Sequence, residues 1–188
     1  MSPLILTKGE KVPLTATSPN VQKFTVGLGW EPNVPNGVEF DCDVTAIICG
    51  SDGKCLGNDY LVWYNNLQDP NGFVKHSGDV RDGKVEGDDE TIFLDFSKSP
   101  SEAESIVFIV SIHEAQERNQ NFGQIRDCGI RLYNGDTNDK LMEFDLNEDY
   151  SGATTMEMGK LYKHQGEWKF QSIGVGIKGN LNDFLINY

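Results

Sequence analysis

The sequence predicts an all-β protein, a two-sheet β-sandwich with short peripheral helices. Three observations carry this. About a dozen short segments are rich in β-branched and aromatic residues, the separators between them are turn sequences, and helical periodicity is scarce. The predicted strands are LILT (4–7), KFTVGLGW (23–30), DCDVTAIIC (41–49), DYLVWY (59–64), FVKHS (73–77) and ETIFLDF (90–96). SIVFIVSIH (105–113), GIRLY (129–133), LMEFDL (141–146), TTMEMGKLYKH (154–164) and EWKFQSIGVGI (167–177) follow. SDGK, DPNG, NGDTND and HQGE supply the turns between them, because Gly, Asn, Asp and Pro favour turn geometry. SIVFIVSI is apolar at nearly every position, which predicts a central strand buried on both faces. Helix signals are limited to one turn at SPSEAES, one at EAQERNQ (114–120), and a closing helix in NLNDFLINY with Asn180 as N-cap. Trp30, Trp63 and Trp168 are predicted as core or rim aromatics.

A chain of 188 residues is long enough to bury a real core as a single domain over residues 1–188. Lys and Arg number 16 against 29 Asp and Glu, for a net charge of -13. That balance opposes direct binding of nucleic acid or of an anionic membrane surface, and favours cations or basic partners. The N-terminal MSPLILTKGEKV lacks a basic start and does not read as a secretory signal. No run approaches the roughly 20 apolar residues of a membrane helix, so no membrane insertion is expected. Cys42, Cys49, Cys55 and Cys128 form no CxxC pair, which predicts reduced thiols in a cytoplasmic protein; a disulfide between the nearby Cys49 and Cys55 is open to the sequence but not indicated by it.

The most informative segment is GDVRDGKVEGDDE, residues 78–90. Six of its thirteen residues are carboxylates: Asp79, Asp82, Glu86, Asp88, Asp89 and Glu90. Two readings fit the composition: a solvated acidic hairpin loop, or a loop that closes around a hard cation such as Ca²⁺, which takes several oxygen ligands. Asp41 and Asp43 in FDCDVTA stand two apart, so a strand points both carboxylates one way. They supply a second wall to such a site.

Other motifs fall away. Gly78 to Lys84 fits a phosphate loop, but Val85 stands where a Ser or Thr is needed, and Asp79 and Asp82 would repel phosphate. Asn134, Asp136 and Asn138 imitate the start of an EF-hand loop, yet Asp139 replaces its glycine and Asp145 its terminal glutamate, so a hairpin turn is predicted. His76, His113 and His164 show no zinc spacing and read as structural or surface residues. No serine nucleophile elbow occurs.

GLGW (27–30), FDCDVTA (40–46), WYNN (63–66), SGDVRDGKVEGDDE (77–90), IHEA (112–115), NFGQI (121–125) and GKLYKHQGEWKF (159–170) recur in this order. Together they resemble the TerD family of tellurite-resistance and stress proteins, to which a slime-mould cyclic-AMP-binding protein is similar. The resemblance implies a two-sheet sandwich that binds one or two Ca²⁺ ions without catalysis. Its implied ligands are Asp41, Asp43, Asp79, Glu86, Asp88 and Glu90, with Asp82, Asp89, Asn65, Asn66 and Glu114 as further members. Val80, Asp82 and Val85 depart from the family loop, which has Asn, Thr and Gly there, and Glu114 replaces an Asp. Val80 removes one side-chain oxygen, and Asp82 restores a carboxylate.

The expected function is a cytoplasmic stress-response module in which calcium orders the acidic loop for an unknown protein partner, such as another stress-system protein. Two alternatives remain at this point. One is a small-ligand or cyclic-nucleotide-binding protein, motivated by the resemblance. The other is a metal-dependent hydrolase, for which His76 is the candidate base nearest to the carboxylates.

Overall fold

The computed structural model of the chain describes residues 2–32, 40–78, 88–146, 148 and 150–188. The strands in chain order are β1 (Leu4–Ile5), β2 (Lys11–Pro13), β3 (Lys23–Pro32), β4 (Cys42–Cys49), β5 (Leu61–Val62) and β6 (Val74–His76). They continue with β7 (Glu90–Asp95), β8 (Ser105–Ile112), β9 (Ile125–Asn134), β10 (Lys140–Asp145), β11 (Thr155–His164) and β12 (Glu167–Ile177). Two short helices, α1 (Leu14–Thr17) and α2 (Leu181–Leu185), accompany them. The first sheet runs β1-β10-β9-β3-β7-β6 and the second β2-β12-β11-β8-β4-β5. Pairing is antiparallel except for the edge strand β1, which lies parallel to β10. The predicted two-sheet sandwich is therefore the observed architecture.

Alternation along the strands builds the core. Cys42, Val44, Ala46 and Ile48 of β4, with Ile106, Phe108 and Val110 of β8, point into the space between the sheets. They meet Val26, Leu28, Ile92, Leu94, Ile130 and Leu132 of the first sheet there. The opposite faces of β4 and β8 are apolar too, for a separate reason. Ile47, Cys49, Val107 and Ile109 pack under Phe184 of α2. SIVFIVSI thus reads apolar throughout because one face meets the other sheet and the other face meets a helix. α2 starts where expected: Asn180 accepts from Asp183 N while the Asp183 side chain accepts from Asn180 N, which satisfies two otherwise orphaned donors.

Several sequence expectations need correction. SPSEAES forms a turn without a helix. EAQERNQ is a run of turns, and Glu114 and Asn119 have φ of 50° and 52°, a left-handed backbone that interrupts a helix. DYLVWY is strand at Leu61–Val62 alone; Asn58–Tyr60 form a 3-10 turn. β2 was not anticipated. Its Pro13 is tolerated because β2 is a sheet edge, where a missing N–H breaks no ladder. The 134–139 segment is the predicted hairpin turn: Asn134 N donates to Asp139 O, and Asn134 Oδ1 accepts from Asp136 N. Trp30 and Trp168 pack partly buried against the core, and Trp63 lies against Tyr64.

Candidate metal centre

The acidic segment joins β6 to β7, and its two stems are firmly held. On the β6 side, Gly78 N donates to His76 Nδ1 at 2.9 Å, with Gly78 at φ 72°. On the β7 side, Asp88 turns away from solvent. Its Oδ1 accepts from Arg131 Nη1 at 2.8 Å and its Oδ2 from the Tyr133 hydroxyl at 2.7 Å. The Asp88 side chain is fully buried. Arg131 also reaches Glu143 at 3.3 Å and Asp145 at 3.6 Å. Burial and the Asp88 carboxylate hold the Tyr133 hydroxyl well above its ordinary pKa. Asp89 N donates to Leu28 O, and Asp89 Oδ2 accepts from Trp30 N at 2.8 Å.

This stem explains the first glycine of GLGW. A Cβ on Gly27 would run into the Asp88 carboxylate. Glycine within a strand marks such a close approach, so Gly27 and Asp88 form one local arrangement from two distant motifs.

The carboxylates nearest the loop gather where β5 stops short. β5 pairs with β4 at Ala46 and Ile47, which leaves the Val44 N–H without a ladder partner from that side. Glu90 fills the gap: its Oε2 accepts from Val44 N at 2.6 Å, tying the two sheets together. The same oxygen lies 3.5 Å from His76 Nε2. Asp43 sits beside this contact, its Oδ2 3.9 Å from His113 Nδ1. Burial, then the charges of Glu90 and Asp41, push the Asp43 carboxyl up to about 6. Negative charge at this point is therefore poorly compensated by protein groups.

The remaining candidate residues divide. Asp41 is exposed one residue before β4, and its carbonyl accepts from His113 N. Glu114 is largely exposed, 3.6 Å from His113 Nε2 and 3.3 Å from Arg118 Nη2. Trp63 and Asn66 exchange both backbone hydrogen bonds, so Tyr64 and Asn65 form the tip of a tight hairpin. Asn66 Nδ2 donates to the Asp59 and Leu61 carbonyls, bracing that turn. Asp79, Asp82 and Glu86 lie outside the described residues, as do Val80 and Val85. Among the described residues, no group of three or more His, Cys, Asp or Glu is arranged to hold a metal ion. Asp41, Asp43 and Glu90 come together electrostatically, whereas Asp88 and Asp89 are committed to Arg131, Tyr133 and Trp30.

Sequence reasoning missed Arg131 and Tyr133, which offered no local signal. The sequence reads His113 as structural or surface and His76 as at most a candidate base; the structure places them against Asp43 and Glu90. Asp43, Glu90 and Asp41 are hard carboxylate donors, the ligand type Ca²⁺ takes, and they act on one another through charge without forming a complete ligand set among the described residues.

Two six-stranded sheets packed face to face, with the fully buried Asp88 side chain paired to Arg131, make this an all-β sandwich protein. The TerD domain model matches residues 3–188, and the chain belongs to the TerD family. The Tellurium resistance protein TerD of Serratia marcescens is 42% identical over 183 residues, covering 97% of this chain and 95% of the relative. General stress protein 16U of Bacillus subtilis is 42% identical over 184 residues, covering 97% and 95%. The crystal structure of a homologue of telluride resistance protein (TerD) from Streptomyces coelicolor superimposes with a TM-score of 0.67 at 20% identity. It covers 90% of this chain and 99% of its own length, and shares the fold. Among the described residues, no helix is long and apolar enough to cross a membrane.

Proposed function

We propose that this chain is a calcium-binding module that serves a stress response of the tellurium-resistance kind in the cytoplasm, without catalysing a reaction. The observation that carries the reading is Asp43. Its carboxyl is held up at about 6 by burial and by Glu90 and Asp41, so a divalent cation there would relieve a standing electrostatic conflict. Ca²⁺ would be held by Asp43 and Glu90, with Asp41 and the loop carboxylates Asp79, Asp82 and Glu86 as further oxygen donors. It would draw the loop against β4. The closed loop then offers a surface to a protein partner. The names of the relatives support the stress-response setting.

Calorimetry with calcium tests this. A ligand at a hundredfold its Kd stabilises the folded state by about 2.7 kcal/mol, a rise in Tm of about 5–11 °C for a chain of this size. Asp43→Asn should remove most of that rise. No calcium-dependent shift at millimolar Ca²⁺, or a full shift in Asp43→Asn, would overturn the proposal.

A further inference from the structure

Cys49 closes β4, and Cys55 faces it across the 50–54 turn as an antiparallel bridge partner. The backbone hydrogen bonds identify the kind of pair. Gly50 N donates to Lys54 O at 2.9 Å, and Leu56 N donates to Ile48 O at 3.0 Å. These bonds flank the pair and do not join it, so Cys49 and Cys55 occupy a non-hydrogen-bonded position of the ladder. Facing Cα atoms at such positions stand about 4.5 Å apart, with side chains at their closest. A disulfide requires Cα atoms about 4.4–6.8 Å apart, so this position meets the requirement without backbone movement.

Both side chains belong to the outer face of the second sheet. Cys49 sits in the cluster with Ile47, Ile109 and Phe184, and Cys55 packs against that cluster. Both are free thiols, Cys49 buried and Cys55 half-buried. Each thiol is turned to a neighbouring carbonyl: Cys49 Sγ to Ile47 O at 3.8 Å, and Cys55 Sγ to Gly57 O at 3.2 Å. The two other cysteines, Cys42 and Cys128, are buried in the main core. They serve as internal controls.

We propose that Cys49 and Cys55 form a redox modification site, at which a hydroperoxide joins them as a cross-strand disulfide. The half-buried Cys55 meets the oxidant. Its sulfur attacks the terminal oxygen, the O–O bond breaks, an S–O bond forms, and the thiol proton leaves with the departing oxygen as water or alcohol. The Cys49 sulfur then attacks the Cys55 sulfur. The S–S bond forms, the S–O bond breaks, and hydroxide leaves with the Cys49 proton as water. Two thiols have lost two electrons and two protons, and the peroxide has gained them. Burial pushes the Cys49 thiol up to about 12, which leaves the first encounter to Cys55. The bridge would fix the turn on which the C-terminus rests, because Cys55 N donates to Tyr188 O and Lys54 Nζ to Asn187 O.

The test is hydrogen peroxide treatment of the native full-length chain, followed by alkylation in denaturant and intact-mass measurement. Free thiols should fall from four to two, with loss of two hydrogen masses. Trypsin cuts after Lys54, between the two cysteines, so the bridge should appear as two linked peptides. Cys55→Ser and Cys49→Ser should each abolish the link, and Cys42→Ser and Cys128→Ser should retain it. The wild-type peptide map stands even where a core variant fails to fold. Cys55 oxidised to a sulfinic acid without linkage, Cys55-linked dimers, four thiols remaining, or a bridge through Cys42 or Cys128 would each overturn the proposal.

Discussion

Replacing Asp43 by Asn should stabilise the calcium-free protein at neutral pH. The folded state holds the Asp43 carboxyl at about 6, against an ordinary 3.8, through burial and the charges of Glu90 and Asp41. The folded state therefore binds this proton more tightly than the unfolded chain. Ionisation opposes folding: the penalty is absent below about pH 3.8, grows as pH rises, and is fully present above about 6. Each pH unit between those values is worth about 1.36 kcal/mol, so the ceiling is about 3 kcal/mol. The side chain is 22% exposed, and solvent screening reduces the expected gain to about 1–2 kcal/mol. For a chain of this length that is a Tm rise of about 2–8 °C. Asn preserves shape and removes the charge. Scanning calorimetry with a chelator present, at neutral pH and near pH 4, measures the difference. The wild type should approach the variant as pH falls. A variant less stable than wild type at neutral pH, or a gap unchanged at pH 4, would refute the reasoning.

Two further outcomes follow from the β7 stem. Arg131→Met leaves the buried Asp88 carboxylate without its cation and should destabilise by about 3–5 kcal/mol, read as a lower urea midpoint; adding Asp88→Asn to it should recover much of the loss. Gly27→Ala sets a methyl against the Asp88 carboxylate and should destabilise by about 1–3 kcal/mol; Asp88→Ala in that background should relieve the clash, which a double-mutant cycle in urea will show.

Strand identity was legible because it is local. Short β-branched and aromatic runs between clustered turn residues mark β3, β4 and β8 in the chain itself, and the uninterrupted apolar run of β8 signals that both its faces are covered. The closing helix was legible for the same reason, since Asn180 and Asp183 form their capping box within four residues. Elements that rest on distant partners were hidden. β2 is three residues that become strand by pairing with β12. EAQERNQ carries helix-forming residues, but left-handed turns at Glu114 and Asn119 keep residues 114–120 out of helix.

The acidic site divides along the same line. The sequence by itself determined that carboxylates crowd residues 78–90 and that Asp41 and Asp43 alternate beside them, because charge density and strand period need no knowledge of the fold. Tertiary structure alone decided which carboxylates remain available. Asp88 is 43 residues from Arg131, and Glu90 is 46 residues from the Val44 N–H that β5 leaves open. Whether a carboxylate is neutralised by a guanidinium, bound to a backbone N–H or left to repel its neighbours depends on which strand lies across from it. Strand order is set by burying the whole core at once, and no local run of residues records it.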